Sequence, residues 1–367
     1  MTVADARPDG ELAYLRAVLA ASAVAAELLT AMDDAAERLA PDRSTGLATA
    51  IAARFAAPLA AATEVLAAAP APAALAPFDR VFTAALAHAR ECAALFGGVP
   101  SAPPSERLPR ILTALHHHAR AQERLYPIRS LLPPFRDYWS PDVPPAPDAA
   151  PPSANPARRT ALTRVSAGGH HGGFAVYVPE AYDERRPWPL VVALHGGSGN
   201  GRDFLWTWVR DAKRAGHLLV APTAGGATWG AIDELGLLEI LAWMRGRYHV
   251  AEDRILLTGL SDGGTFTLVY GLAHPDVFRA LAPCCGVLHP ANVANGNLER
   301  ARGVPIYLVH GAEDFLFPVA LARRTRETLA AAGARLVYRE IPDLSHAYPR
   351  RENPAILAWF AALPAST

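Results

Sequence analysis

The chain has 367 residues, 51% of them hydrophobic, and its 35 basic and 35 acidic side chains leave a formal net charge of +0. Length and apolar content leave room for two cores, since domains usually hold about 100–200 residues, and electrical neutrality removes the reason to expect nucleic acid or an anionic membrane as partner. Three cysteines, Cys92, Cys284 and Cys285, cannot all pair within one chain, and adjacent cysteines suit a disulfide poorly, so no oxidising compartment is needed.

No stretch reads as the roughly 20 uncharged apolar residues of a membrane span. The run nearest to a signal peptide, Ala17 to Ala26, follows Asp5, Asp9 and Glu11 and precedes Glu27, so it reads as the first amphipathic helix of a cytoplasmic protein. Residues 10–40 place Leu12, Leu15, Leu19, Leu28, Met32 and Leu39 at helical spacing, and similar patterns cover 46–68, 77–96 and 106–125. Breaks fall at Pro41, Pro70 to Pro72, and Gly97 to Pro104. The expectation is a domain over 1–139 of about four antiparallel helices, which offers a surface for homo-oligomerisation. His116-His117-His118 look metal-like, but consecutive helical positions diverge by about 100° and cannot chelate one ion, so a solvated helix face is expected and no metal site. Residues 140–159, with seven prolines from Pro141 to Pro156, read as a stiff linker.

From residue 160 to 367 short β-rich runs alternate with helical ones, the pattern of a doubly wound, mostly parallel α/β sheet. The strand candidates are Ala161 to Ser166, Phe174 to Pro179, Leu190 to Leu194, Leu218 to Ala221, Ile255 to Gly259, Ala280 to Pro283, Ile306 to Val309 and Leu336 to Ile341. His170-His171, set among glycines before the second of these, reads as a turn. About twenty residues separate the sixth strand from the seventh, room for one helix and turns but not for an inserted cap. The helices before Ser140 are the spare apolar mass, and a 20-residue linker at about 3.1 Å per residue lets them reach the strand ends, roughly 60 Å away.

The run Gly259-Leu260-Ser261-Asp262-Gly263 follows a strand and precedes a helix, the setting of a nucleophile elbow, where small residues two before and two after the serine relieve a sharp turn. A serine hydroxyl is a weak nucleophile and needs a base, whose tautomer a carboxylate fixes. In the chain order serine, acid, histidine, two strand ends supply candidates: His310-Gly311-Ala312-Glu313-Asp314 and Pro342-Asp343-Leu344-Ser345-His346. Asp314 is assigned as the acid and His346 as the base. Asp343 and Glu313 are the rival acids, and His310, His274 and His289 the rival bases; each is assigned instead a packing, turn or surface role.

Oxyanion donors are expected at the N–H of Asp262 and in Leu194-His195-Gly196-Gly197-Ser198-Gly199, with Gly197 first and Ser198 next. Trp206, Trp208 and Trp229 fall on the rim that substrate reaches. Trp229 beside Gly230 is assigned to the substrate pocket together with Ser198, while Trp206 and Trp208 suit packing at least as well. Asp233 is expected to cap a helix starting near Glu234. The pair Cys284-Cys285 reads as packing rather than thiol chemistry.

From about Arg164 onward the chain resembles the α/β-hydrolase superfamily, in particular its polyhydroxybutyrate-depolymerase-like and feruloyl-esterase-like branch. The segments that carry the likeness are LHGGSGNG (Leu194 to Gly201), TWG (Thr228 to Gly230), GLSDGG (Gly259 to Gly264), HGAEDFLFP (His310 to Pro318) and LSHAYP (Leu344 to Pro349). The resemblance implies carboxylic-ester hydrolysis through an acyl-enzyme, on a small acyl or aryl ester, without a cofactor. It also implies frequent secretion, against which the N-terminal residues stand. An acyltransferase would use the same three side chains, and a noncatalytic binding protein would need only the fold.

Overall fold

The computed structural model describes residues 7–140, 161–165 and 172–364, with side chains over 10–140 and 172–364. It divides into two compact units, Met1–Pro144 and Pro145–Thr367. Residues 141–160, and His170-His171, lie outside the described residues.

The first unit is all helical: α1 (Arg7–Glu37), α2 (Ser44–Ala68), α3 (Ala76–Gly97), α4 (Pro104–Leu125) and a short α5 (Pro133–Trp139). The four long helices are those the periodicity predicts. The fifth, which the periodicity does not mark, begins on two prolines, and proline suits the first turn of a helix, where no intrahelical partner awaits its nitrogen. Tyr14, Phe55, Phe82, Phe96, Tyr126, Phe135 and Trp139 fill the interior. The three consecutive histidines point three ways, as the helical step demands. His116 is exposed, His117 places Nδ1 3.0 Å from His88 Nδ1, and His118 is buried with Nε2 3.2 Å from the Leu29 carbonyl. Only the first therefore fits the solvated face expected of all three. Among the described residues no group of three or more metal-ligating side chains gathers.

Two helical segments, Gly10–Glu37 and Ser44–Ala68, are long and apolar enough to cross a membrane by length and composition, the most apolar 18-residue stretch of each having a mean hydropathy of 1.7 and 1.4. Neither is an uncharged run of about 20 residues, since Arg16, Glu27 and Asp33 interrupt the first and Arg54 and Glu64 the second. Half of the first segment's most apolar window is buried inside the unit, as in the core helix of a globular protein, and 28% of the second's.

The second unit is an eight-stranded sheet: β1 (Ala161–Val165), β2 (Phe174–Val178), β3 (Trp188–Leu194), β4 (Leu218–Pro222), β5 (Val250–Leu260), β6 (Ala280–Cys284), β7 (Pro305–Gly311) and β8 (Arg335–Ile341). Their spatial order is β1-β2-β4-β3-β5-β6-β7-β8. The first two pairings, β1 with β2 and β2 with β4, are antiparallel, and the rest are parallel. The fold is α/β-hydrolase. Strands β3 to β7 read as nearly continuous apolar runs because a parallel sheet is covered on both faces. Strand β5 starts five residues earlier than expected; its register with β3 jumps from Trp188–Val250 to Leu190–Ile255, so the charged Glu252-Asp253-Arg254 stretch, which reads as a loop, bulges out between the two pairings.

The connections place the chemistry. Helices α6 (Gly201–Phe204) and α7 (Val209–Ala215) follow β3, α8 (Ala231–Arg245) follows β4, and α9 (Asp262–Ala273) follows β5. Between β6 and β7 lie two four-residue helices, α10 (Ala291–Ala294) and α11 (Asn297–Arg300), so no cap is inserted there. Helices α12 (Val319–Ala331) and α13 (Asn353–Ala361) follow β7 and β8.

Gly259 is where β5 turns against α9: a Cβ there would stand 2.5 Å from the Gly263 carbonyl carbon and oxygen. Those atoms are backbone and cannot swing aside. Gly259→Ala is therefore expected to cost about 1–3 kcal/mol, the usual range for overpacking. Urea unfolding measures it, and an unchanged midpoint would show that the turn opens without cost.

Candidate active site

Four loops at the C-terminal ends of β3, β5, β7 and β8 meet around Ser261. The serine has φ +56° and ψ −115°, a conformation that costs a residue with a side chain about 1–3 kcal/mol. It is over-determined from both sides: the Ser261 N–H donates to the Cys284 carbonyl at 2.9 Å, and its carbonyl accepts the Thr265 N–H at 2.8 Å. Gly263 has no room for a side chain, since a Cβ would come within 2.4 Å of the His195 carbonyl oxygen and 2.6 Å of that of Leu194. The elbow thus packs directly on the end of β3.

His346 stands with Nε2 2.8 Å from Ser261 Oγ, and its Nδ1 lies 2.8 Å from Asp314 Oδ2 and 3.0 Å from Oδ1. The three side chains assigned from sequence are thereby in one hydrogen-bonded line. Asp314 is almost fully buried, and its Oδ1 also accepts the N–H groups of Leu316 at 2.9 Å and Phe317 at 2.7 Å. Burial alone would push its carboxyl up; the hydrogen bonds from His346 and Phe317 and the nearby His346 and His310 rings outweigh it and hold the group below the usual carboxylate range.

The rivals are accounted for. Asp343 is exposed and paired with Arg351 at 2.6 Å, and Glu313 and His289 are exposed. His274 ends α9 beside Tyr270. His310 is buried, donates from Nε2 to the Phe317 carbonyl at 2.8 Å and lies 3.4 Å from Asp314 Oδ2, so it braces the acid's loop. Burial lowers its affinity for a second proton. Cys285, at φ +48°, points its thiol at the Ala347 carbonyl 3.4 Å away; burial pushes that thiol up to about 12 and raises that of Cys284 well above its ordinary value. Both are protonated at neutral pH, as packing residues would be.

Gly196 and Gly197 lie against the elbow. A Cβ on Gly196 would sit 3.6 Å from Ser261 Cβ, and one on Gly197 3.9 Å from Asp262 Cβ, ordinary contacts that the protein itself would tolerate. Ser198, at φ +58°, donates its N–H to the Ala227 carbonyl at 2.7 Å and so is spent as an oxyanion donor; its side chain is exposed on the loop. Trp229 corrects the sequence assignment to the pocket. Its ring is 6% exposed, stacked on Phe266 and tilted against His195, and its indole N–H donates to the His195 carbonyl at 2.8 Å, so it supports the loop from within. Trp206 and Trp208 are likewise buried. Helix α8 starts at Ala231 rather than near Glu234, and Asp233 receives the N–H groups of Gly230 and Gly225 at 3.0 and 2.7 Å.

Sequence reasoning missed Gly311. A Cβ there would lie 2.2 Å from the Leu344 carbonyl oxygen, so only glycine lets the acid's loop cross the histidine's loop closely. The Glu313 N–H then donates to that same Leu344 carbonyl at 3.0 Å. A glycine closing a strand was the available signal. It also missed Phe315, more than half exposed, whose ring lies 6.2 Å from that of His346 in an edge-on arrangement.

Residues 239–362 match the family model described as phospholipase/carboxylesterase. The chain is 30% identical over 173 residues to a bifunctional acetylxylan esterase/xylanase of Neocallimastix patriciarum, a match covering 45% of this chain and 25% of that protein. It is 27% identical over 129 residues to feruloyl esterase B of Neurospora crassa, covering 31% of this chain and 43% of that one. The C-terminal region is therefore similar in sequence to esterases of the α/β-hydrolase kind. The chain spans between a quarter and under half of the length of these curated relatives. An acetyl xylan esterase structure from Aspergillus awamori superposes with a TM-score of 0.43 at 15% identity, over 55% of this chain and 99% of that one.

A carboxylate held below its ordinary range adds stability above that range and loses it as pH falls through the depressed value. In the hydrolase unit, the advantage of wild type over Asp314→Asn in urea unfolding is therefore expected to be full above about pH 4 and to shrink below it. An advantage unchanged from pH 7 to pH 3 would contradict the ionised-acid assignment.

Proposed function

We propose that the protein hydrolyses carboxylic esters through an acyl-enzyme, with Ser261 as nucleophile, His346 as general base and acid, and Asp314 as the group that orients it. The observation that carries this reading is the 2.8 Å contact of His346 Nε2 with Ser261 Oγ, on an imidazole whose other nitrogen faces a buried carboxylate. In acylation Ser261 Oγ bonds to the ester carbonyl carbon while its proton moves to His346 Nε2. The Asp314 carboxylate accepts a hydrogen bond from Nδ1–H and so keeps Nε2 free to accept the proton. Charge gathers on the carbonyl oxygen, to which the N–H groups of Gly197 and Asp262 donate. Collapse breaks the carbon–oxygen bond to the alcohol, which leaves with the proton from His346. Water then repeats the sequence on the acyl-enzyme, returning the carboxylic acid and Ser261.

The substrate in this reading is a small acyl or aryl ester. Its support is the apolar rim beside the base, where Phe315 is 58% and Leu316 54% exposed, and the relatives, whose names refer to acetyl and feruloyl esters. No step draws on a metal or an organic cofactor.

Ser261→Ala and His346→Ala are each expected to lower kcat by roughly three decades or more on nitrophenyl acetate, with the unfolding midpoint little changed in Ser261→Ala and lowered in His346→Ala, which takes the imidazole donor from the buried Asp314 carboxylate. Retention of a tenth of wild-type kcat in either variant would overturn the assignment. Phe315→Ala is expected to raise KM several-fold for a hydroxycinnamoyl ester while leaving that for the acetyl ester within about twofold, a change of well under 1 kcal/mol. Equal effects on both esters would remove Phe315 from the acyl-binding rim. Product analysis with an added alcohol acceptor separates hydrolysis from acyl transfer.

A further inference from the structure

The Gly196 carbonyl and the Gly197 N–H belong to one planar peptide and point in opposite directions. Whatever holds the carbonyl therefore aims the N–H. Two donors hold it, the Nδ1–H of His195 at 2.6 Å and the N–H of Gly199 at 3.0 Å. The tautomer of His195 is dictated, because its Nε2 lies 3.0 Å from the Ala224 N–H, a group that can only donate. The ring proton thus sits on Nδ1, and burial opposes a second one.

The same residue is fastened through its backbone. Its carbonyl accepts the Trp229 indole N–H at 2.8 Å, and the Trp229 main-chain N–H donates to the Asp262 carboxylate at 2.7 Å. With the Ser198 N–H on the Ala227 carbonyl, the 195–199 loop is tied both to the 224–229 loop and to the first residue of α9. Both oxyanion donors are therefore registered against one another by side chains that lie behind them.

We propose that His195 is a positioning residue for the oxyanion site: as the neutral Nδ1–H tautomer it fixes the Gly196–Gly197 peptide, and Trp229 together with the Asp262 carboxylate locks that peptide in register with the Asp262 N–H. The proposal rests on the ester-hydrolase reading. His195 takes no proton from substrate and touches none of the reacting atoms; it acts through the peptide it holds.

The test uses the whole chain and three substitutions that separate the two ring nitrogens. An asparagine amide nitrogen reaches where Nδ1 lies and donates, a glutamine reaches only where Nε2 lies, and alanine does neither. The readouts are kcat and KM on nitrophenyl acetate, the unfolding midpoint, and the Ki of an aryl trifluoromethyl ketone. Ser261 adds to the ketone carbonyl with its proton passing to His346, which leaves an oxyanion in the same place as in the reaction. His195→Ala and His195→Gln are expected to lose about 10²–10³-fold in kcat, the usual scale for one oxyanion donor, with KM little changed and the ketone Ki raised in parallel. His195→Asn is expected to stay within about tenfold of wild type, the size of effect left when one neutral hydrogen bond is weakened. Equal losses in the asparagine and glutamine variants, or a fall in kcat with an unchanged ketone Ki, would overturn the proposal. Should these variants fail to fold, Trp229→Phe keeps the ring stack and removes the indole donor; kcat and ketone Ki are then expected to worsen together, and an unaltered pair refutes the network. A wild-type protein inert on every ester sinks the underlying reading instead, and an active wild type with insensitive variants sinks this proposal alone.

Discussion

Ser261 is held at φ +56° by a turn that closes only because three backbones touch where side chains would otherwise stand. Gly263 presses against the carbonyls at the end of β3, Gly259 against Gly263 itself, and Gly264 leaves no more than 2.7 Å between a would-be Cβ and the Cys284 carbonyl oxygen. Strands β3, β5 and β6 are adjacent and parallel, so their C-terminal ends share one edge, and the glycines let that edge contract into a site. The strain at the serine is sustained by the hydrogen bonds to Cys284 and Thr265 on either side of it.

The same economy of backbone contact governs the other half of the site. Strands β7 and β8 pair in parallel, and Gly311 lets the loop bearing Asp314 pass under the loop bearing His346. Asp314 then organises its own surroundings, drawing two N–H groups onto one oxygen and the imidazole onto both. His310 and Cys285 close the space behind it, each buried and each bonded to a carbonyl of one of these loops. A charged group of this kind survives burial because nearly every direction from it meets a donor.

The helical unit is built on other terms. Its helices are rich in alanine, so their close packing around Tyr14, Phe55, Phe82 and Trp139 comes from shape more than from large apolar area. An open cleft of about 620 Å³ lies within it, lined by Thr30, Phe55 and Tyr138 among others.

Local order along the chain was legible from residues alone. Period and punctuation marked the four long helices and all eight strands, because amphipathic and fully buried segments carry their burial in their own spacing. That Ser261, Asp314 and His346 would meet was also legible, since a strand followed by a small-residue turn is a local pattern and chain order limits the partners. What spacing cannot carry is which face of a loop looks outward. Trp229 read as a pocket wall and is a buried brace, because its orientation is decided by hydrogen bonds to His195 and Asp262, 34 and 33 residues away along the chain. Ser198 read as a spare donor, and its N–H is spent on Ala227. Gly311 and the tautomer of His195 became meaningful only when distant strands were brought side by side: close approach and proton placement are properties of pairs of segments, and the pairing is made by the tertiary fold.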